Sequence, residues 1–330
     1  MVSMSPASKN DWMPSASLQT LKQRARMLQS IRAFFAARHL LEVETPVLSR
    51  AAITDPHLHS FRTRYLQQSL YLQTSPEFFM KRLLAAGSGD IYQVCKVFRD
   101  DEQGSNHHPE FSMLEWYRQG FDHHALMDEM EQLLKGLMLD AGQGWQAPVR
   151  LSYRQAFLDV LAVDPLTATA ADLEQLAIAQ QIEIPIGMDD ASKDSWLDWL
   201  MTQAIAPSFS KQGFTFLYDY PASQAALARI SHKDPRVAHR FELFFAELEL
   251  ANGFYELTDA EEQAQRFAVE NQQRVAMALP AMPVDECLLD ALVAGLPDCS
   301  GVAIGLDRLL MVLLGVATVH DTLSFSLEKD

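Results

Sequence analysis

"VCKVFRDDEQGSNHHPEFSMLEWYR", residues 94–118, is the stretch on which the reading of this fold turns. An alternating run, Val94–Phe98, ends on Arg99, and a second, Phe111–Tyr117, begins after a polar loop. Alternation with a period of two marks a half-buried strand, and two such runs around a polar loop predict an antiparallel hairpin. The intervening residues carry four acids and two histidines. A guanidinium at a strand end can meet a phosphate with two parallel hydrogen bonds, and a ring on the returning strand can stack on a base. Each residue also has a plainer reading, Arg99 as a surface cation and Phe111 as core.

Upstream, Leu18, Leu21, Ala25, Leu28, Ile31 and Phe35 recur in steps of three and four and predict an amphipathic helix. Residues 1–17, rich in Ser and Pro, read as a flexible tail. In "LEVETPVLS" (41–49), Pro46 forbids a central ladder position, so this extended piece belongs at an edge or an interface. "SLYLQT" (69–74) reads as a strand, and "SPEFFMKRLLAAG" (75–87) as a helix with Ser75 as N-cap, Pro76 at its first position and Gly87 as its stop.

Downstream, a helix starts near Asp122, residues 164–211 read as an acidic helical insertion, and 214–220 and 240–253 read as strands. Thr258 and Glu261 form a capping-box pattern, and "GVAIGLDRLLMVLLG" (301–315) reads as strand, turn, helix. Strands joined by hairpins and long excursions predict an α+β protein, an antiparallel β-sheet flanked by helices.

The 330 residues, 48% of them hydrophobic, suffice for a sizeable core. With 27 Lys+Arg against 43 Asp+Glu the formal charge is -16, which argues against a polyanionic partner such as tRNA. Cys95, Cys287 and Cys299 form no CxxC, so neither a disulfide framework nor a thiolate zinc site is expected. No apolar run has the length of a membrane span and no signal pattern opens the chain, so a cytoplasmic protein is expected. A phosphate-binding GxxxxGK[ST] loop is absent and "AAGSGD" (85–90) lacks dinucleotide-binding spacing. Any nucleotide must therefore be held by side chains and metal.

Glu249 and Glu256 flank "LANGFY". Alternation carried through 240–253 sets Glu249 on the face of Glu247, Phe245 and Leu243, where an acid demands a salt bridge or a hard divalent cation. Arg308 falls in the first turn of an apolar helix, with Asp307 as its simplest partner. His107 and the His123–His124 pair look like metal pairs but read as solvated or phosphate-facing.

Taken together, Arg99 at a strand end, "HHPEF" (107–111) and "GVAIGLDR" (301–308) resemble motifs 2 and 3 of the class II aminoacyl-tRNA synthetases. "EVETPVLS" (42–49) and its preceding helix resemble motif 1, whose proline lies at a dimer interface. "TSPEFFMKRLL" (74–84), "HHPEFSMLEWY" (107–117) and "ELANGFYELTDAEEQAQRF" (249–267) are similar to the lysyl-tRNA synthetase catalytic domain. The resemblance spans about residues 18–325. It implies a class II catalytic fold over 18–330, a homodimer, and the use of ATP and Mg2+.

Carried over by position, Ser75, Pro76, Glu77, Glu115, Tyr117 and Asn252 would line an amino-acid pocket. There Glu256 would meet a side-chain ammonium and Glu77 the backbone-type amine. Arg99 would hold the α-phosphate, Phe111 the adenine and Arg308 the far phosphates, with Asp100, Asp101, His107, His108, Leu250 and Gly305 completing the ATP site. Glu249 would be the best Mg2+ ligand and Glu256 a second. The chain departs from the family in reading "FRDDE" for "FRNEE" and "HHPEF" for "HNPEF". It also has Ala303 where those enzymes have glycine, and Ser75 where alanine is usual.

Those enzymes carry an anticodon-binding domain before motif 1, whereas here a short tail precedes Leu18. With the acidic charge, this implies a shortened paralogue that activates (R)-β-lysine or lysine and passes it to a lysine of elongation factor P. No membrane contact is expected, and tRNA is expected to be a poor acceptor. Three alternatives stay open: a free-standing enzyme charging tRNA or another small acceptor, an asparagine-synthetase-type ligase, and a catalytically dead paralogue. "SPE", "NGFYEL" and "EWY" speak against the second, and the presence of Arg99, Arg308, Glu249 and Glu256 against the third.

Overall fold

The computed structural model describes residues 12–100, 104–188 and 191–327; Asp101 and residues 1–11 of the tail lie outside them. Eleven strands are present among these residues: β1 Leu41–Glu42, β2 Leu48–Ser49, β3 Arg62–Tyr65, β4 Gln68–Leu72, β5 Ile91–Phe98, β6 Glu110–Gln119, β7 Val149–Ser152, β8 Phe214–Pro221, β9 Val237–Phe245, β10 Leu248–Tyr255 and β11 Cys299–Gly305. The helices are α1 Leu18–Ala36, α2 Glu77–Ala85, α3 His123–Asp140, α4 Tyr153–Leu161, α5 Ala170–Ala179, α6 Lys193–Leu200, α7 Ala206–Ser208, α8 Ala260–Ala276, α9 Glu286–Gly295 and α10 Leu306–Leu314.

One sheet of eight strands runs in the order β1-β5-β6-β11-β10-β9-β8-β7, and a small second sheet pairs β2-β4-β3. The large sheet is antiparallel except at its edges, where β1 joins β5 and β7 joins β8 in parallel. The expected hairpin is β5–β6, the second and third strands from one edge of the sheet, with Val97 opposite Phe111.

Strand alternation divides the sheet into two faces. On one, Leu114, Trp116, Phe241, Leu243, Val302 and Ile304 bury against Ile31 and Phe35 of α1 and Leu126, Met130 and Leu134 of α3. The other turns Glu115, Ala303 and Asn252 toward a cleft, with α2 and α9 packed over Tyr117 and Phe254. Residues 164–211 do supply helices, and Leu173, Trp196, Leu197 and Phe209 share a core with Phe157 of α4 and Leu217, Tyr220 and Phe244 of the sheet.

Several local expectations are corrected. Residues 240–253 are not one alternating run but the β9–β10 hairpin, turning at Ala246 with φ 49°. "FFAELEL" contains no Gly, Asn or Pro to announce that turn. Glu249 therefore lies opposite Phe244, and it is exposed. Asp259, not Thr258, caps α8 by accepting from the amides of Glu261 and Glu262. Helix α2 begins after Pro76, yet the Ser75 hydroxyl still accepts from the Glu77 amide at 3.0 Å. β11 passes into α10 at Gly305 with no intervening turn. The described end of the tail is tied down: the Ser15 and Ala16 amides donate to the Ser324 and Leu323 carbonyls at 2.7 and 3.0 Å, and Ala16 is buried.

Asp307 links three elements. Buried at the start of α10, it accepts from the Ser112 amide of β6 at 2.6 Å and pairs with Arg24 of α1. Removing one partner of a buried ion pair strands the other charge. Arg24→Ala is accordingly expected to destabilise the fold by about 3 kcal/mol, read from urea denaturation; an unchanged midpoint would count against this tie.

Candidate active site

The register of the central strands builds the floor of the cleft. Glu115 of β6 stands opposite Ala303 of β11, and Ala303 opposite Asn252 of β10. One step along, Tyr117, Gly301 and Phe254 form the next row. These six face a cleft of about 220 Å³. Gly301 has to be glycine, because a Cβ there would lie 2.2 Å from Tyr117 Cε1 and 2.7 Å from Glu256 Oε1. At Gly305 a Cβ would meet nothing closer than the Leu250 carbonyl at 3.9 Å, so the protein itself imposes no such demand.

At one end of the cleft two carboxylates meet one buried ammonium, and a third, Glu115, lies beside them. Lys81 Nζ lies 2.6 Å from Glu77 Oε1 and 2.6 Å from Glu256 Oε2. Burial alone would lower the Lys81 pKa, but the charges of Glu256 and Glu77 outweigh it and raise it. Glu256 is fully buried, and burial, only partly offset by Lys81, pushes its carboxyl up to about 7. Its second oxygen, Oε1, has no hydrogen-bond partner among the described residues. Glu115 accepts from the Ser75 hydroxyl at 3.1 Å and the Tyr117 hydroxyl at 2.8 Å. Burial and then the charge of Glu77 push it to about 8.

The β5–β6 hairpin and α10 form the other end. The Arg99 guanidinium carbon sits 5.1 Å from the centre of the Phe111 ring, and both line the cleft. Arg308 does not pair with Asp307; it donates to the carbonyls of Asn106 at 3.0 Å and Glu249 at 2.8 Å. His107 and Leu250 line the cleft as expected. His108 does too, but both its ring nitrogens are engaged, Nδ1 with the Glu110 carbonyl at 2.6 Å and Nε2 with the Leu327 amide at 3.4 Å. Pro76 and Asp100 do not line it. Pro76 is buried at the start of α2, and the Asp100 amide is held by the His59 carbonyl at 2.8 Å.

Glu249 and Glu256 cannot share a cation. They stand at opposite ends of β10, and seven residues at about 3.3 Å each set them roughly 20 Å apart. Glu249 lies at the arginine end and Glu256, already paired with Lys81, at the carboxylate end.

Lys81 is not among the residues singled out in the sequence, although its signal is there: a cation four residues after Glu77 on the same helix. Arg240 was missed as well; its Nε donates to Asn252 Oδ1 at 3.1 Å while its Nη2 pairs with Glu242. His123 is not solvated: it is 3% exposed and packs against Asp219 and His239, whereas His124 beside it faces out.

Residues 10–329 match the family described as tRNA synthetases class II (D, K and N). A protein of Vibrio cholerae serotype O1 named elongation factor P–(R)-β-lysine ligase is 50% identical over 322 residues, covering 96% of this chain and 98% of its own. Proteins of the same name from Salmonella typhi and Salmonella gallinarum are each 48% identical over 324 residues, with the same coverage. The chain belongs to the class II tRNA synthetase family.

The buried acids set a direction for stability against pH. Glu115 near 8, and Glu256, Glu242 and Glu270 near 7, keep protons that the unfolded chain gives up, burial being the leading cause in each. From about pH 5 to 8 the folded state thus binds more protons, and its stability falls as pH rises. Glu115 alone contributes roughly 2 kcal/mol of that fall between about pH 6 and 8. Denaturation of the ligand-free protein across this range should show the decline, and Glu115→Gln should flatten its upper part; a flat or rising wild-type profile refutes the assignment.

Proposed function

We propose that the chain is an ATP-dependent, AMP-forming ligase that activates (R)-β-lysine as an aminoacyl-adenylate and transfers it to a lysine side chain of elongation factor P. The observation that carries this reading is Glu256 Oε1, a buried carboxylate oxygen without a protein partner at the carboxylate end of a cleft whose other end holds Arg99, Phe111 and Arg308. A buried polar atom without a partner is costly, and a substrate ammonium would satisfy that oxygen. Relatives about half identical over nearly the whole chain carry the name of this activity.

In this reading Glu256 accepts from the distal ammonium of the substrate, and Glu77, with Glu115 and Asn252, receives the second amine. Arg99 holds the α-phosphate, Phe111 lies against the adenine and Arg308 meets the far phosphates. Glu249, exposed beside the Arg308 contact, would hold Mg2+, which supplies charge neutralisation on the triphosphate. The substrate carboxylate attacks the α-phosphorus in line, forming the acyl–phosphate bond as pyrophosphate leaves. The acceptor lysine, as a free amine, then attacks the acyl carbon; the C–N bond forms, the C–O bond to AMP breaks and the amine loses a proton. No side chain of this chain is consumed, so positioning and charge carry the catalysis.

The assembly we propose is a homodimer. Leu41 and Leu48, 53% and 43% exposed, flank Pro46 beside the two-residue edge strand β1 and offer an apolar surface to a second copy. A stable monomer in light scattering at micromolar concentration would reject it. No helix among the described residues is long and apolar enough to cross a membrane, and a cytoplasmic setting fits the proposed acceptor. Charge of -16 makes tRNA a poor acceptor.

The direct test is intact-mass analysis of elongation factor P after incubation with the protein, ATP, Mg2+ and either lysine isomer. One β-lysyl addition is expected, with bulk tRNA scarcely charged; an unmodified factor alongside efficient tRNA charging would overturn the reading.

Selection between isomers should rest on Ala303, which adds a methyl between Glu115 and Asn252 at the floor of the cleft. The Ser75 hydroxyl is committed to Glu115 and the Glu77 amide, which leaves it only a lone pair for a displaced amine. One methyl in such a pocket is worth roughly 1–3 kcal/mol. Ala303→Gly should therefore shift pyrophosphate exchange toward α-lysine, and identical isomer ratios in wild type and variant would eliminate Ala303 as the selector.

A further inference from the structure

On the sheet face opposite the cleft, three side chains from separate elements converge: His123, the first residue of α3, Asp219 of β8 and His239 of β9. His123 Nε2 lies 3.3 Å and His239 Nδ1 3.7 Å from the same oxygen, Asp219 Oδ1. One ligand atom from each residue falls within 4.8 Å of the others. Four ligands about 2.0 Å from a tetrahedral zinc stand about 3.3 Å from one another, so this spacing needs only a small contraction.

The polar atoms involved are otherwise idle. His123 is buried, yet neither of its ring nitrogens, nor His239 Nδ1, nor Asp219 Oδ1, makes an aligned hydrogen bond to the described residues. Buried polar atoms are rarely left so. Asp219 takes a left-handed φ of 59° at an irregularity between Tyr218 and Tyr220, which departs from strand alternation and brings its carboxylate to the histidines.

We propose that His123, Asp219 and His239 form a binding site for a zinc-type divalent transition metal. Two imidazoles and one carboxylate suit such an ion far better than Mg2+, which prefers all-oxygen octahedra. The fourth position is left to water. None of the three residues lines the cleft, so the ion would pin the start of α3 to β8 and β9 rather than take part in ligation. The proposal is independent of the reading of the cleft.

The test uses the full chain, stripped with a chelator and titrated with Zn2+ or Mg2+ by calorimetry. One Zn2+ per chain should bind and raise the melting temperature, with Mg2+ binding far more weakly here. His239→Ala and Asp219→Asn should each weaken Zn2+ binding at least tenfold while leaving ATP–pyrophosphate exchange unchanged. Co2+ added to the unaltered protein should give the visible bands of a tetrahedral site, a readout that does not depend on a variant folding. Zn2+ affinity equal in wild type and both variants, or the absence of tetrahedral Co2+ bands, would overturn the site.

Discussion

The buried ammonium of Lys81, held between Glu77 and Glu256, is the interaction on which the cleft depends. Three carboxylates, those of Glu77, Glu115 and Glu256, share one end of the cleft. Without a cation among them, desolvation and mutual repulsion would drive all of them to take up protons. Lys81 keeps two of them, Glu77 and Glu256, oriented. The same burial raises the pKa of Glu115 and Glu256 toward neutral pH.

A floor made of paired strands gives this pocket its precision. Glu115, Ala303 and Asn252 sit in one cross-strand row of three neighbouring strands, so their spacing is that of the ladder and not of mobile loops. Gly301 shows how tight the packing is: the room a Cβ would need is already taken by the Tyr117 ring and the Glu256 carboxylate. Catalysis by positioning needs such a floor, since misplacing reacting groups by a single ångström is costly.

The two faces of the sheet divide the work. One carries the polar cleft; the other is apolar over α1 and α3 and closes at its edge on the histidine–aspartate cluster. Asp307 reaches across elements to lock α1, β6 and α10 into one body, so the motif 3 helix that carries Arg308 is anchored to the strand that carries Phe111.

Read by itself, the sequence determined the β5–β6 hairpin, the helices α1 to α3 and the strand that runs into α10, while the family resemblance brought Arg99, Phe111 and Arg308 together. Alternation, helical periodicity and motif spacing are local properties, and they survive without knowledge of what packs where. The β9–β10 turn escaped because Ala246 adopts a left-handed backbone that no residue nearby signals. Tertiary structure alone decided that Lys81 meets Glu256, that Glu249 and Glu256 stand at opposite ends of one strand, and that His123 is buried against Asp219 and His239. The first and last of these join residues from distant segments, and their meeting is set by sheet register and strand order. A one-residue slip in register would turn every such side chain to the opposite face, and nothing in a neighbouring stretch of chain records which register wins.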